Sequence, residues 1–204
     1  MTENGQEISK IAIDPVIFTI HLSKLKVLLH VREKEPFADM KELPGGLLLH
    51  NETAEESLKR KLKELVGQEN LFFKQFYTFT EPNRDPRERT ISIGFVSLIN
   101  EAKIKELVRW FDYDSIKDLA FDHKKILQTA RNYLKENVNS SIVKYFMPKL
   151  FPLNKLQEVY EILEERKYDN RNFRKKMISS SIVEEMNQLE QNVSHRPAKL
   201  FRFK

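Results

Sequence analysis

Cysteine is absent from the 204 residues, which excludes disulfides, thiolate metal sites and cysteine nucleophiles together. No apolar run approaches the roughly 20 residues that a membrane span needs. The first ten residues, Met1 to Lys10, are polar and lack the apolar centre of a signal peptide. Internal repeats and low-complexity tracts are also missing. These absences predict a soluble, cytoplasmic protein with no membrane role. What is present supports a packed core: 40% of residues are hydrophobic and 10% aromatic. Charged residues make up 32%, with a net charge of +5 and a pI near 9.2. Such a mild excess permits a nucleic-acid partner without establishing one, so the placement of the charge matters more than its sum.

Two alternating stretches open the chain. Ile11, Ile13, Phe18 and Ile20, then Leu25, Val27, Leu29 and Val31, predict strands joined by a short turn around Ser23–Lys24. Pro15 interrupts the first, which predicts an edge strand or a kink. A loop rich in Pro and Gly runs from Glu35 to Gly46. Thr53 and Glu56 then carry the spacing of a capping box, and Gly67 is the residue type that ends a helix, so a helix is expected between them. Leu58, Leu62, Leu65 and Val66 share one face of it. Further strands are expected at Phe72–Phe79 and Thr90–Ile99, separated by the polar turn Glu81–Arg89. A helix follows over Asp122–Glu136, with Asp122 and His123 as its capping and packing pair. Asn137–Lys149 is the expected connection to a second unit, giving domains over 1–145 and 146–204. There, Asn154 is placed to cap a helix running to about Glu165, and Asp169 to cap another.

The first chemical constellation lies between Gly46 and Gly67. Gly46 is followed after five residues by Glu52 and after seven more by Arg60, with Leu62, Glu64 and Gly67 next in register and Leu43-Pro44-Gly45 before. This pattern resembles the Nudix signature. The resemblance implies an α/β/α sandwich with a mixed sheet, so the whole chain reads as α+β. In that family three glutamates on one helix hold magnesium against a pyrophosphate. Here the three positions carry Lys61, Glu64 and Leu65, and a single carboxylate survives. Magnesium is held through carboxylate oxygens, so its binding is undermined. Lys61, three residues before Glu64, can pair with it and supply a fixed positive charge instead. Read alone, that pair is also an ordinary surface ion pair worth a few tenths of a kcal/mol. Glu52, Glu55 and Glu56 are the nearby carboxylates that could substitute for the missing two, which keeps hydrolysis open as the lesser alternative. The box is therefore expected to be degenerate at Glu52, Arg60, Lys61, Glu64 and Leu65, with no catalytic residue and no metal ligand.

A pocket can outlast its chemistry. Arg84 and Arg87 lie in the turn Pro82–Arg89, and guanidinium forks suit phosphates and carboxylates. Alone, the run also reads as a solvated charged hairpin. The order Phe76-Tyr-Thr-Phe, Arg84-Asp85-Pro86-Arg87, Trp110-Phe111 and Leu119-Ala-Phe-Asp122-His123 resembles the Nudix-related transcriptional regulator (NrtR-like) family. That resemblance implies a small-molecule effector such as ADP-ribose, a sugar or a sugar phosphate. Arg84, Arg87, Glu64, Lys61 and Gly46 are the implied effector-site residues. Asp39–Glu42 departs from the family, with Lys41 where tryptophan is usual, which leaves the effector's identity open. His21, His30, His50, His123 and His195 show no metal-ligand spacing, and no cofactor is implied.

The second constellation is Asp169 to Ile178. On a helix Phe173, Met177 and Ile178 fall inward, while Arg171, Arg174 and Lys175 project together. Such a layout suits a recognition helix in a DNA major groove, with Asn170 and Asn172 near its start. A solvated basic face is the bland alternative. From Pro148 to Lys204 there are 12 Lys/Arg against 8 Asp/Glu, a net of +4, so most of the excess charge sits here. Helix, turn, basic helix and a ribbon through Arg196-Pro-Ala-Lys199 is the order of a winged helix-turn-helix, and the regulator family carries the same segments. The expectation is a transcriptional repressor binding a palindromic double-stranded DNA operator as a homodimer. The alternative is a metal-dependent Nudix hydrolase of ADP-ribose or a related nucleotide sugar.

Overall fold

A computed structural model describes residues 9–68, 71–104, 109–138, 141–194 and 196–204. The first residues of the polar N-terminus, 1–8, and His195 lie outside the described residues. In chain order the N-terminal unit contains β1 (Lys10–His21), β2 (Lys24–Leu28), β3 (His30–Val31), β4 (Lys41–Glu42), β5 (Gly46–Leu47), α1 (Ala54–Val66), β6 (Phe72–Phe79), β7 (Thr90–Leu98), β8 (Trp110–Asp112) and α2 (His123–Glu136). The main sheet runs β6-β7-β1-β2-β8, with β5 also paired to β1. It is mixed, because β1 and β7 are parallel while the other pairs are antiparallel.

Strand β1 alternates its side chains between two layers. Ile13 and Ile17 join Leu58 and Leu62 of α1 in one core. Val16, Phe18 and Ile20 join Ile126, Leu127 and Ala130 of α2 in the other. That alternation, with period two, is what makes the sandwich. Leu22 and Ser23, with φ of 49° and 59°, form the two-residue turn into β2, the left-handed pair that tight hairpins use.

Pro15 does not mark an edge. β1 is central, with β7 on one side and both β5 and β2 on the other. The Ile11 carbonyl faces β5 and accepts from Leu48, while the Phe18 carbonyl faces β7 and accepts from Ile99. Alternation therefore turns the Pro15 nitrogen toward the β5/β2 side. There, pairing stops at Ile13 and resumes at Phe18. The missing N–H falls in that gap and costs no ladder bond.

Helix α1 begins and ends as its sequence signals indicate. The Glu56 N–H donates to the Thr53 hydroxyl at 3.2 Å, and the Thr53 N–H donates to the Glu56 carboxylate at 2.8 Å. Gly67, with φ of 70°, closes the helix in the left-handed region. Strand β8 was not anticipated from sequence; its three residues cover the free edge of β2.

The C-terminal unit contains β9 (Phe151–Pro152), α3 (Leu153–Glu164), α4 (Asn170–Ser179), β10 (Val183–Leu189) and β11 (Lys199–Phe203), its sheet ordered β10-β11-β9. Phe173 of α4 meets Tyr160 of α3 and Tyr168 of the intervening turn edge-on, at 5.4 and 5.3 Å. Two sequence expectations fail here. Asn154 is not the cap of α3: the helix starts at Leu153, and the Asn154 carboxamide sits inside the first turn. Ile178 is 47% exposed rather than inward, because Phe173 and Met177 already fill the buried face.

Ile142, Val143, Phe146 and Met147, in the expected connecting segment, are buried in the same core as Leu134, Leu156 and Tyr160. The two units share one continuous apolar interior. The connection is packed protein.

Candidate ligand cleft and DNA-binding helix

The scaffold of the box is formed, and of its three expected carboxylate positions Glu64 alone carries an acid. Arg60 of α1 forks onto Glu52, donating from Nε at 3.0 Å and Nη2 at 2.7 Å. Together with the Leu49 N–H, that fork holds the Glu52 carboxyl at a pKa of about 2. The bonds of the capping box likewise keep Glu56 below the usual carboxylate range. Leu65 packs toward the Leu58–Leu62 core and offers no donor. Glu64 remains, 59% exposed, with the Lys61 ammonium 3.3 Å away. Among the described residues no group of three His, Asp or Glu side chains is arranged to hold a metal ion. A divalent cation does not fit one exposed carboxylate already facing an ammonium.

Gly45 and Gly46 form one wall of a cleft of about 140 Å³ lined also by Asp14, Arg32, Glu42, Arg84, Arg87, Phe121 and His123. Gly45 has no room for a side chain, since a Cβ there would stand 2.1 Å from Asp14 Oδ1. Arg32, Glu42 and Arg87 also border a second, more open hollow of about 550 Å³, where Lys34 and Arg109 outnumber Glu33 and leave the lining net basic. Sharing those three residues, the two hollows adjoin as one groove lined by both signs of charge.

The predicted effector residues divide. Gly46, Arg84 and Arg87 meet at the cleft. Lys61 and Glu64 do not line it, although the Lys61 stem lies over Gly46, 3.3 Å from where a Cβ would be. Arg84, with 4% of its side chain exposed, is enclosed by two carboxylates: Asp122 takes Nε at 3.0 Å and Nη2 at 2.7 Å, and Asp14 takes Nη2 at 3.1 Å. The Ser92 hydroxyl also donates to Asp14, and His123 Nε2 lies 3.6 Å from it. Arg84 is thus the hub of a buried network. Arg87 is half-exposed, bonded to Asp85 at 2.9 and 2.7 Å, and lies over the Phe121 ring.

Sequence reasoning missed much of this. Asp122 does not cap α2 with its side chain, because its carboxylate is turned to Arg84. His123 does pack: its Nδ1 accepts from the Leu43 N–H at 3.0 Å, tethering the loop before the two glycines. Asp14, an acid inside an apolar strand, was the available signal for a buried ionic centre. Phe121 adopts a left-handed φ of 54°, and its ring lies under Arg32 at 4.8 Å and Arg87 at 5.1 Å. Cation–π contact on this ring holds both guanidiniums at the groove.

On α4, the Asp169 side chain accepts from the Asn172 N–H at 2.9 Å and caps the helix. Asn170, Arg171, Asn172, Arg174 and Lys175 are all exposed, as are Arg196 and Lys199 beyond β10. Among the described residues Arg171 and Lys175 have no ion-pair partner. Arg174 donates to Glu185 of β10 at 2.9 Å, and Lys199 donates to the same carboxylate. Those two cations keep Glu185 below its ordinary pKa. The Asn170 side chain accepts from Gln157 at 2.8 Å.

The "NUDIX domain" model matches residues 14–130, and the "NrtR DNA-binding winged helix domain" model matches 143–203. The ADPR responsive transcriptional repressor NtrR of Acinetobacter baylyi is 31% identical over 202 residues, covering 94% of this chain and 80% of its own. The crystal structure of Shewanella oneidensis NrtR complexed with a 27mer DNA superimposes with a TM-score of 0.83 at 26% identity, over 95% of this chain and 93% of that one. The NUDIX domain of the same NrtR complexed with ADP ribose gives 0.57 at 28% identity, over 66% of this chain and 94% of that one. No helix among the described residues is long and apolar enough to cross a membrane. With both units matched in order along one chain, this protein belongs to the NrtR family, a Nudix domain followed by a DNA-binding winged helix.

Proposed function

We propose that this protein is an ADP-ribose-responsive transcriptional repressor that binds its ligand in the Nudix groove without turnover. The observation that carries the reading is the state of the box. Its scaffold is intact from Gly46 to Gly67, while Lys61 and Leu65 stand where metal-binding carboxylates are needed. The groove suits an elongated anion. The deep cleft alone is small for a nucleotide sugar, whereas the adjoining basic hollow brings the space into the range of ligand sites. Arg87 and Arg32, paired with Asp85 and Glu42 respectively, are the guanidiniums at the groove that would meet a phosphate, Arg84 positions the wall, and Gly46 allows close approach. Lys61, paired with Glu64, supplies a tethered positive charge at the groove's edge.

Arg171, Arg174 and Lys175 contact the DNA, with Asn170 and Asn172 at the helix start and Arg196 and Lys199 on the wing. One winged helix offers a small interface. Two copies, paired through their Nudix domains on a palindrome, give the affinity a repressor needs.

The test is fluorescence anisotropy with a DNA duplex that the wild-type protein selects from a random pool, measured across salt concentrations. Arg171→Ala/Arg174→Ala is expected to weaken binding at least about tenfold and to flatten the log–log salt slope by about 1–2 units, since each lost phosphate contact removes about 0.9. Wild-type affinity and slope in the double mutant would remove the basis of this assignment.

A further inference from the structure

Helix α2 joins the ligand groove to the winged helix, and it is fastened at both ends. At its start, Phe121 and His123 line the cleft, and Asp122 between them grips Arg84 through two hydrogen bonds of 3.0 and 2.7 Å. His123 also receives the Leu43 N–H, at 3.0 Å. Eight residues on, about 12 Å along a helix, stands Arg131. Only 5% of it is exposed. Its Nη1 donates to the Leu163 carbonyl at 2.8 Å, and its Nη2 donates to the Ile162 carbonyl at 2.9 Å and to Glu165 at 3.0 Å.

Those carbonyls belong to the last turn of α3, where main-chain oxygens have no partner within the helix. A cation there also meets the negative end of the helix dipole. Glu165, left-handed at φ 57°, ends α3, and Lys135 of α2 holds its other oxygen at 3.0 Å. The chain then turns through Tyr168, whose N–H donates to Glu161 at 3.0 Å, and reaches Asp169, the cap of α4. The orientation of the basic helix is therefore set from a turn that Arg131 holds.

We propose that Arg131 is the positioning residue through which occupancy of the Nudix groove reaches the DNA-binding helix, with α2 as the rigid link. The inference rests on the ADP-ribose-responsive reading above. A ligand that rearranges Arg84, Phe121 or His123 moves the start of α2. Two turns later, the guanidinium carries that movement to the α3–α4 turn. Among the described residues, the ion pair between the units that does not involve α2 is Lys155 with Glu101 at 2.6 Å, and it is not part of the link.

The experiment measures DNA affinity with and without saturating ADP-ribose, using the selected duplex, and ADP-ribose affinity by calorimetry without DNA. In the wild type, ADP-ribose changes the DNA Kd by a factor of about 5–150. In Arg131→Met that factor falls to within about twofold of unity, while ADP-ribose affinity stays within about threefold. Arg131→Lys keeps the charge but loses the fork, and its factor lies between the two. If the methionine variant does not fold, the lysine variant carries the same test. Lys155→Ala keeps the wild-type factor. A wild-type factor in either Arg131 variant, or an equal loss in Lys155→Ala, overturns the proposal. A wild-type protein whose DNA binding ignores ADP-ribose defeats instead the functional reading beneath it.

Discussion

Arg84, deep in the Nudix cleft, is enclosed by Asp14 and Asp122, whereas Arg171 and Lys175 of α4 stand in solvent without an ion-pair partner among the described residues. The two kinds of arginine do different work. A buried guanidinium with both neighbours satisfied fixes geometry, because removing it strands charges that cannot reach water. An exposed cation has no such commitment, so it is available to a phosphate and exchanges counterions for it. Charge counted along the sequence does not separate these roles. Burial and partners do.

The contrast can be broken most severely at Arg84. Arg84→Ala leaves buried Asp14 facing the partly buried Asp122 and is expected to cost about 3 kcal/mol, read as a lower urea midpoint with an unchanged m-value. The same truncation at exposed Arg171 is expected to leave the midpoint within about 0.5 kcal/mol. Equal stability losses at the two sites would dissolve the distinction. Thr53→Ala comes next: it removes one half of the capping box and is expected to cost about 1 kcal/mol, with little effect on DNA binding.

The smallest effect is the acid response. The fork from Arg60 holds Glu52 at about 2, against an ordinary 4.5, and Lys24 and Lys26 hold Asp112 at about 2, against 3.8. A carboxylate depressed on folding stabilises the native state above its unfolded pKa, and that contribution disappears as pH falls through the folded one. The loss therefore lies between about pH 4.5 and 2. Glu52→Gln is expected to show a shallower fall of Tm across that window than the wild type. An identical fall would mean that the fork contributes nothing in solution.

How far the sequence could be read follows the same division between local and distant causes. Helix α1 was legible to its ends because the capping box and Gly67 act within one turn. The sandwich was legible from the two-residue period of β1, and α4 from its cap and basic face. Pro15 misled because its tolerance depends on where β5 stops and β2 begins. Asp122 was read as a cap because its partner, Arg84, is 38 residues away in sequence. Arg32 belonged to no motif, and Phe121 stood in the segment Leu119–His123 with no role attached to its ring; only folding brings the two to one groove. The site's residue types were visible, but its ionic centre was not.

Sensing of ADP-ribose without its consumption, as proposed above, can be tested in a single assay. The direct measurement is DNA affinity by anisotropy with and without ADP-ribose, first in EDTA and then in magnesium, with the nucleotide analysed afterwards by chromatography. The expected result is a change of about 5–150-fold in Kd that is the same in both buffers, with the ADP-ribose recovered intact. DNA binding that ignores ADP-ribose, or a response that needs magnesium and leaves cleaved nucleotide, would contradict it.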